Sequence, residues 1–292
     1  MRRNTTSAPK AAAARIVPAL AALAIGLGTA AGPCTAAPGV APVGTRSPAT
    51  AITDPPSCHP SRTHPRPVVL LHGTMDDATA WQVLAPRLTE SGYCVYAPTY
   101  GFGAIVPAGG LAPVARSAVE VSEYMDRVLA VTGADRVDIV GHSQGGTIAE
   151  YVAKNLGRAS LVHKEILLAP VTHGTDLMGL VDLSSQVPPL RTAVDSAVLP
   201  LVCAACADLE TDSRFVQELT AGPIAQPGVR YSVLATHDDT TSTPAGSASF
   251  IEEPGVTNLF VQDLRPGSVT HKGLPADAAV IDWIAARLDS DS

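Results

Sequence analysis

In Val137-Asp138-Ile139-Val140-Gly141-His142-Ser143-Gln144-Gly145-Gly146, a short run rich in branched residues stops at a glycine and gives way to Gly-x-Ser-x-Gly. Residues 137–140 are too few for a helix, and Val and Ile suit a buried strand. Beyond the glycines, Ile148, Val152 and Leu156 recur every four residues up to Gly157, the spacing of a helix with one buried face. The serine therefore sits on a strand-to-helix turn, where a strained backbone lifts its hydroxyl out of the sheet. Gly141 and Gly145 carry no side chain to clash as strand and helix converge, and the helix N-terminus favours negative charge developing nearby.

Outward from this turn, the same alternation fills the chain. Short apolar runs at residues 68–71, 93–97, 165–169, 229–235 and 256–261 read as further strands. Val114, Ala118, Val121, Met125 and Val128 mark one helix face, with Arg116, Glu120, Glu123 and Arg127 turned outward and Gly133 as the stop. Trp81, Leu84, Ala85 and Leu88 indicate a helix kinked or restarted at Pro86, and a last helix covers about 277–288. Strands alternating with helices imply an α/β fold with a mostly parallel sheet and helices on both faces. Residues 171–228 exceed the roughly 25 that a crossover needs. Their apolar positions, Leu177, Met178, Leu180, Val181, Leu183, Val187 and Leu190, lead us to expect a cap-like insert over the site.

A serine hydroxyl needs a base to take its proton, and the base needs an acid to hold its tautomer. On such a sheet these follow the serine in the order acid, then histidine. His271 is the expected base, because it lies after the last strand and before the last helix. His163 precedes a strand at the opposite end of the sheet and His173 opens the insert; both read as surface or packing histidines, with substrate contact the alternative for His173. The acid should follow the strand 229–235, where Asp238 and Asp239 are adjacent; position alone does not separate them. Oxyanion donors are expected from the backbone NH groups of Gln144, directly after the serine, and Thr74, in Leu71-His72-Gly73-Thr74. His72 reads as structural.

The 292 residues are 46% hydrophobic and 16% charged, with a mean hydropathy of +0.19, enough to bury a sizeable core. A net charge of −7 and the lack of a basic stripe exclude an electrostatic hold on nucleic acid or anionic membrane. Residues 1–37 carry Arg2, Arg3, Lys10 and Arg15, then a 13-residue apolar run at 16–28, then small residues. That order is expected of a secretory signal peptide. The run is shorter than the ~20 residues of a spanning helix, so no stable membrane anchor is expected. Pro33 before Cys34 argues against lipidation. Removing the segment takes four basic residues and no acid, so the charge falls to −11. It also leaves four cysteines, Cys58, Cys94, Cys203 and Cys206, an even number consistent with two disulfides in an oxidising compartment. Residues 38–57 read as a flexible lead-in and residues 58–292 as one domain.

These motifs together resemble the secreted bacterial lipases and esterases of the α/β-hydrolase fold, the group often called class 2 lipases. The resemblance spans residues 58–288. It rests on Pro67 to Thr74, Gly92-Tyr93-Cys94-Val95-Tyr96 with Tyr100-Gly101, and Gly141 to Gly146. It rests also on Thr172-His173-Gly174-Thr175, Cys203 to Cys206, and Gly255-Val256-Thr257-Asn258-Leu259 with Gln262-Asp263. Similar proteins carry Thr-x-x-Asp followed by Thr-Pro, and Thr236, Asp239, Thr243 and Pro244 fit that register, so the resemblance favours Asp239 over Asp238. Thr240 departs from the acid common there. The resemblance also implies pairing of Cys58 with Cys94 and of Cys203 with Cys206.

The expected activity is that of a secreted, extracellular and monomeric carboxylic ester hydrolase acting on lipid or other apolar esters through Ser143, His271 and Asp239. No cofactor and no metal are implied, since the histidines and cysteines lack ligand spacing. Alternatives on the same fold are a serine amidase, thioesterase or acyltransferase, or a noncatalytic binding module.

Overall fold

The computed structural model describes residues 55–103, 105–176 and 202–290. The signal-peptide reading of 1–37, most of the lead-in and the apolar positions between Leu177 and Leu190 lie outside the described residues. Six strands form one sheet, β1 (Val68–Leu71), β2 (Val95–Tyr96), β3 (Val137–His142), β4 (Val162–Leu168), β5 (Arg230–Ala235) and β6 (Thr257–Phe260). Their order is β2-β1-β3-β4-β5-β6, and every pairing is parallel. Each crossover therefore needs a helix or long loop. Helices α1 (Leu84–Glu90), α2 (Val114–Thr132), α3 (Gln144–Lys154), α4 (Ala204–Asp208) and α5 (Arg214–Thr220) lie between strands, and α6 (Val261–Leu264) and α7 (Ala278–Asp289) follow β6.

Period-two alternation divides the core into two layers. Val69, Leu71, Ile139, Leu167 and Val233 meet Val114, Val121, Met125 and Val128 of α2 and Ile148 and Val152 of α3. Val68, Leu70, Val140, Ile166, Leu168 and Leu234 meet Leu84 and Leu88 of α1 and Val280, Ile281 and Ile284 of α7. The α2 stripe read from the sequence is wholly buried, and Gly133, at φ 71°, ends that helix in the left-handed conformation.

Three sequence readings need adjustment. Helix α3 ends at Lys154, and Gly157 lies beyond its cap. Pro86 falls in the first turn of α1, which restarts after a separate 3-10 turn, Ala78–Trp81; a proline is tolerated there because first-turn NH groups have no intrahelical partner. Strand β4 begins at Val162, so His163 lies within the strand rather than before it.

Cys58 is bonded to Cys94 and Cys203 to Cys206. The first bridge ties the segment before β1 to the residue before β2. The second sits at the start of α4, on the described part of the long insert. Among the described residues, no helix is long and apolar enough to cross a membrane.

Candidate active site

The chain passes from β1 outward to β2 and returns to β3 on the other side of β1. That reversal opens a crevice at the carboxyl ends of β1 and β3, where ligands bind on such sheets. Ser143 follows β3 here at φ 56° and ψ −128°, a conformation that costs a non-glycine residue roughly 1–3 kcal/mol. The neighbouring glycines make the turn possible. A Cβ on Gly141 would lie 2.6 Å from the Gly146 nitrogen, and one on Gly145 would lie 2.2 Å from the Leu71 oxygen. Gly145 thus clears the end of β1 rather than its own strand, and it brings the Ser143 turn against the Thr74 loop.

The loops after β5 and β6 supply an Asp–His pair. His271 Nδ1 lies 2.8 Å from Asp239 Oδ2, and Asp239 Oδ1 accepts from the Thr241 and Ser242 backbone NH groups, each at 2.8 Å. A carboxylate held by two NH groups keeps its second oxygen aimed at the ring, and a ring that donates from Nδ1 has Nε2 as its basic nitrogen. His271 Nε2 makes no hydrogen bond among the described residues. Asp238 points elsewhere: its Oδ2 accepts from Gln262 Nε2 and from Val269 NH, each at 3.1 Å. The two aspartates therefore divide the work, one meeting the histidine ring and the other holding the loop that carries it.

Ser143, His271, Gly73 and Thr74 line one cavity of about 330 Å³, shared with Met75, Val171, Thr175, Cys206, Leu209 and Lys272 among others. Gln144 is fully buried behind it, and its side-chain oxygen accepts from the Thr74 hydroxyl at 3.1 Å. That bond fastens the first turn of α3 to the loop after β1, the two segments expected to donate to an oxyanion. Cys206 and Leu209 come from the insert, so its described part does contribute a wall.

Two histidines do not join the site. His163 donates from Nδ1 to Asp138 at 2.8 Å and contacts Arg230 through Nε2 at 3.2 Å, at the amino end of the sheet. His173, read as a packing histidine with substrate contact as the alternative, is tied to Phe250 O through Nε2 at 2.8 Å and does not line the cavity. Its backbone NH also donates to Ala248, so the residue pins two loops together. His72 is buried, with Nδ1 2.8 Å from Gly73 O and its ring stacked on Tyr100, and burial pushes its pKa down. Among the described residues, no cluster of three His, Cys, Asp or Glu could hold a metal.

Residues 68–287 match the model of the alpha/beta hydrolase family. The chain belongs to that family. Solved structures of similar fold include lipase B of Aspergillus fumigatus, with a TM-score of 0.63 at 18% identity over 83% of this chain and 57% of that one. A Bacillus licheniformis lipase in mature form gives 0.57 at 16%, covering 80% and 96%. An esterase from Exiguobacterium antarcticum gives 0.52 at 17%, covering 77% and 92%. This hydrolase chain thus spans little more than half the length of the Aspergillus lipase.

One residue of this hydrolase site escaped sequence reading. His142 was only the variable position of the serine motif, yet its Nε2 lies 3.0 Å from the His271 carbonyl oxygen. The signal available was a histidine at the buried end of a strand, where a polar ring must find a partner.

Proposed function

We propose that the protein is an exported serine ester hydrolase acting on apolar esters. The observation that carries this reading is the convergence of a strained serine and an Asp-held histidine on one cavity. In the first step, His271 Nε2 takes the hydroxyl proton as Ser143 Oγ attacks the ester carbonyl. Backbone NH groups of Thr74 and Gln144 hold the oxyanion, and the imidazolium, steadied by Asp239, returns its proton to the departing alcohol. Water then attacks the acyl-enzyme by the same route in reverse and releases the acid, restoring the serine. Apolar wall residues, Met75, Val171 and Leu209, support a hydrophobic acyl or alcohol group as ligand. Two disulfides in a chain of this size support an oxidising destination.

Hydrolysis of p-nitrophenyl esters of graded chain length, by the native protein and by Ser143→Ala, tests the reading. Turnover by the native protein with loss of at least about 10⁴-fold in the variant is expected. Equal rates would overturn it. Parallel assays with p-nitroanilides and acyl thioesters separate an esterase from an amidase or thioesterase.

A further inference from the structure

We propose that His142 is a positioning residue for His271, tying the base to the strand that carries the nucleophile. The inference rests on the serine-hydrolase reading above and adds a residue to it.

Among the described residues, every other side-chain hydrogen bond that ties the histidine loop to the sheet leads to the end of β5. Thr236 Oγ1 donates to Val269 O at 2.5 Å, Val269 NH donates to Asp238, and the His271 ring meets Asp239. None of these refers His271 to Ser143. The His142 contact does, because His142 and Ser143 are consecutive and their backbone leaves β3 as one unit. A base and a nucleophile built on separate loops drift independently unless something joins them, and a 1 Å displacement can cost about 10²-fold in rate.

The chemistry of the contact is determined by its acceptor. A carbonyl oxygen only accepts, so the proton of the neutral His142 ring is on Nε2, 3.0 Å from His271 O. Nδ1 is then a bare nitrogen, and it is buried with no partner among the described residues. A second proton on it would find no acceptor and would place a cation 4.8 Å from the His271 ring, centroid to centroid, with His72 also nearby. Burial first, and the neighbouring His271 second, push the His142 pKa down to about 3. The ring stays neutral while His271 gains and loses its proton, so the tether holds throughout the cycle and never opposes the imidazolium.

Three measurements test the proposal. Long-range proton–nitrogen NMR of the native protein should show His142 as the Nε2–H tautomer, unchanged between pH 5 and 8. His142→Phe, which keeps a ring and loses the donor, should lower kcat about 10- to 100-fold with KM within about twofold. His142→Gln, which can still donate, should recover at least threefold over the Phe variant.

The proposal is overturned by an Nδ1–H or titrating ring. It is also overturned if kcat in His142→Phe stays within twofold of native, or if Phe and Gln lose activity equally, the mark of packing alone. Ser143→Ala run beside them separates the two failures: an inactive Ser143→Ala with a fully active His142→Phe sinks only the positioning role. An active Ser143→Ala sinks the hydrolase reading and this one with it.

Discussion

The sheet carries an Asp–His pair at each end. Both pairs have an Nδ1 to carboxylate distance of 2.8 Å, and both aspartates are buried. At the amino end, His163 spends its second nitrogen on Arg230 at 3.2 Å, and Asp138 also meets Arg66 Nε at 3.5 Å. At the carboxyl end, the Nε2 of His271 has no partner among the described residues, and the residue opens on the cavity that Ser143 lines. The same two side chains at the same distance are thus a closed structural clamp in one place and, in the proposed function, an available base in the other. What separates them is whether the far nitrogen is consumed.

The largest test of that contrast exchanges each carboxylate for its amide. Asp239→Asn should lower kcat about 10⁴-fold, since an amide can donate to the ring and select the wrong tautomer. Asp138→Asn should leave kcat within about twofold, because nothing at that end touches the reaction. Steady-state kinetics on one activated ester checks both, and comparable losses would mean that Asp138 has been misread as a clamp.

Stability should show the opposite ranking. Asp138 is buried, and losing its His163 donor costs about 1–3 kcal/mol, with the remaining Arg66 contact placing His163→Phe near the lower figure. At about 2–4 °C per kcal/mol, its melting temperature should fall by roughly 2–4 °C with kcat unchanged. A thermal scan showing no shift would demote the amino-end pair to an incidental surface contact. Asp238→Asn is a smaller effect of a third kind. The amide oxygen can still accept from Val269 NH, so the loop bearing His271 is kept and kcat should drop no more than about fivefold, against the 10⁴-fold of its neighbour. A loss equal to that of Asp239→Asn would reverse the division of labour between them.

The contrast also shows how far the chain could be read before its fold was seen. Which end of the sheet a histidine occupies follows from which side of a strand it lies on, and that separated His271 from His163 even though the start of β4 was misplaced. The adjacent aspartates were harder, because the choice depends on the direction in which a turn aims a carboxylate. Thr241 and Ser242 NH groups, which aim Asp239, are backbone donors that any residue could supply. His142 was silent for a similar reason: its partner is the carbonyl of a residue 129 positions away, and carbonyls leave no mark in a sequence. The glycines were legible as a group, yet the obstacle that Gly145 avoids, the end of β1, comes from a strand about 70 residues earlier.

Glu150 extends the comparison to a carboxyl with no histidine. It lies fully buried on α3, 2.6 Å from the Thr172 hydroxyl, which also lies 3.1 Å from Ser249 O. Thr172 has one proton for two acceptors. Ser249 O is a carbonyl and cannot supply its own, whereas a protonated Glu150 can donate to Thr172 and complete the set. Burial raises the Glu150 pKa to about 8, with the Thr172 contact and Lys154 opposing. The folded state therefore holds a proton that the unfolded chain releases near its ordinary 4.5. Between those values the unfolded state binds fewer protons, so this group's contribution to stability is complete in acid, falls as pH rises towards 8 and is flat above it. Glu165, also buried and also raised by burial, adds a slope of the same sign. Glu150→Gln keeps a donor towards Thr172 and removes one titration. Its melting temperature should exceed that of the native protein by roughly 10 °C at pH 8.5, at about 2–4 °C per kcal/mol, and the gap should close as pH falls to 4.5. Melting curves that stay parallel across that range would show that the buried carboxyl is ionised in the fold and that Thr172 alone sustains it.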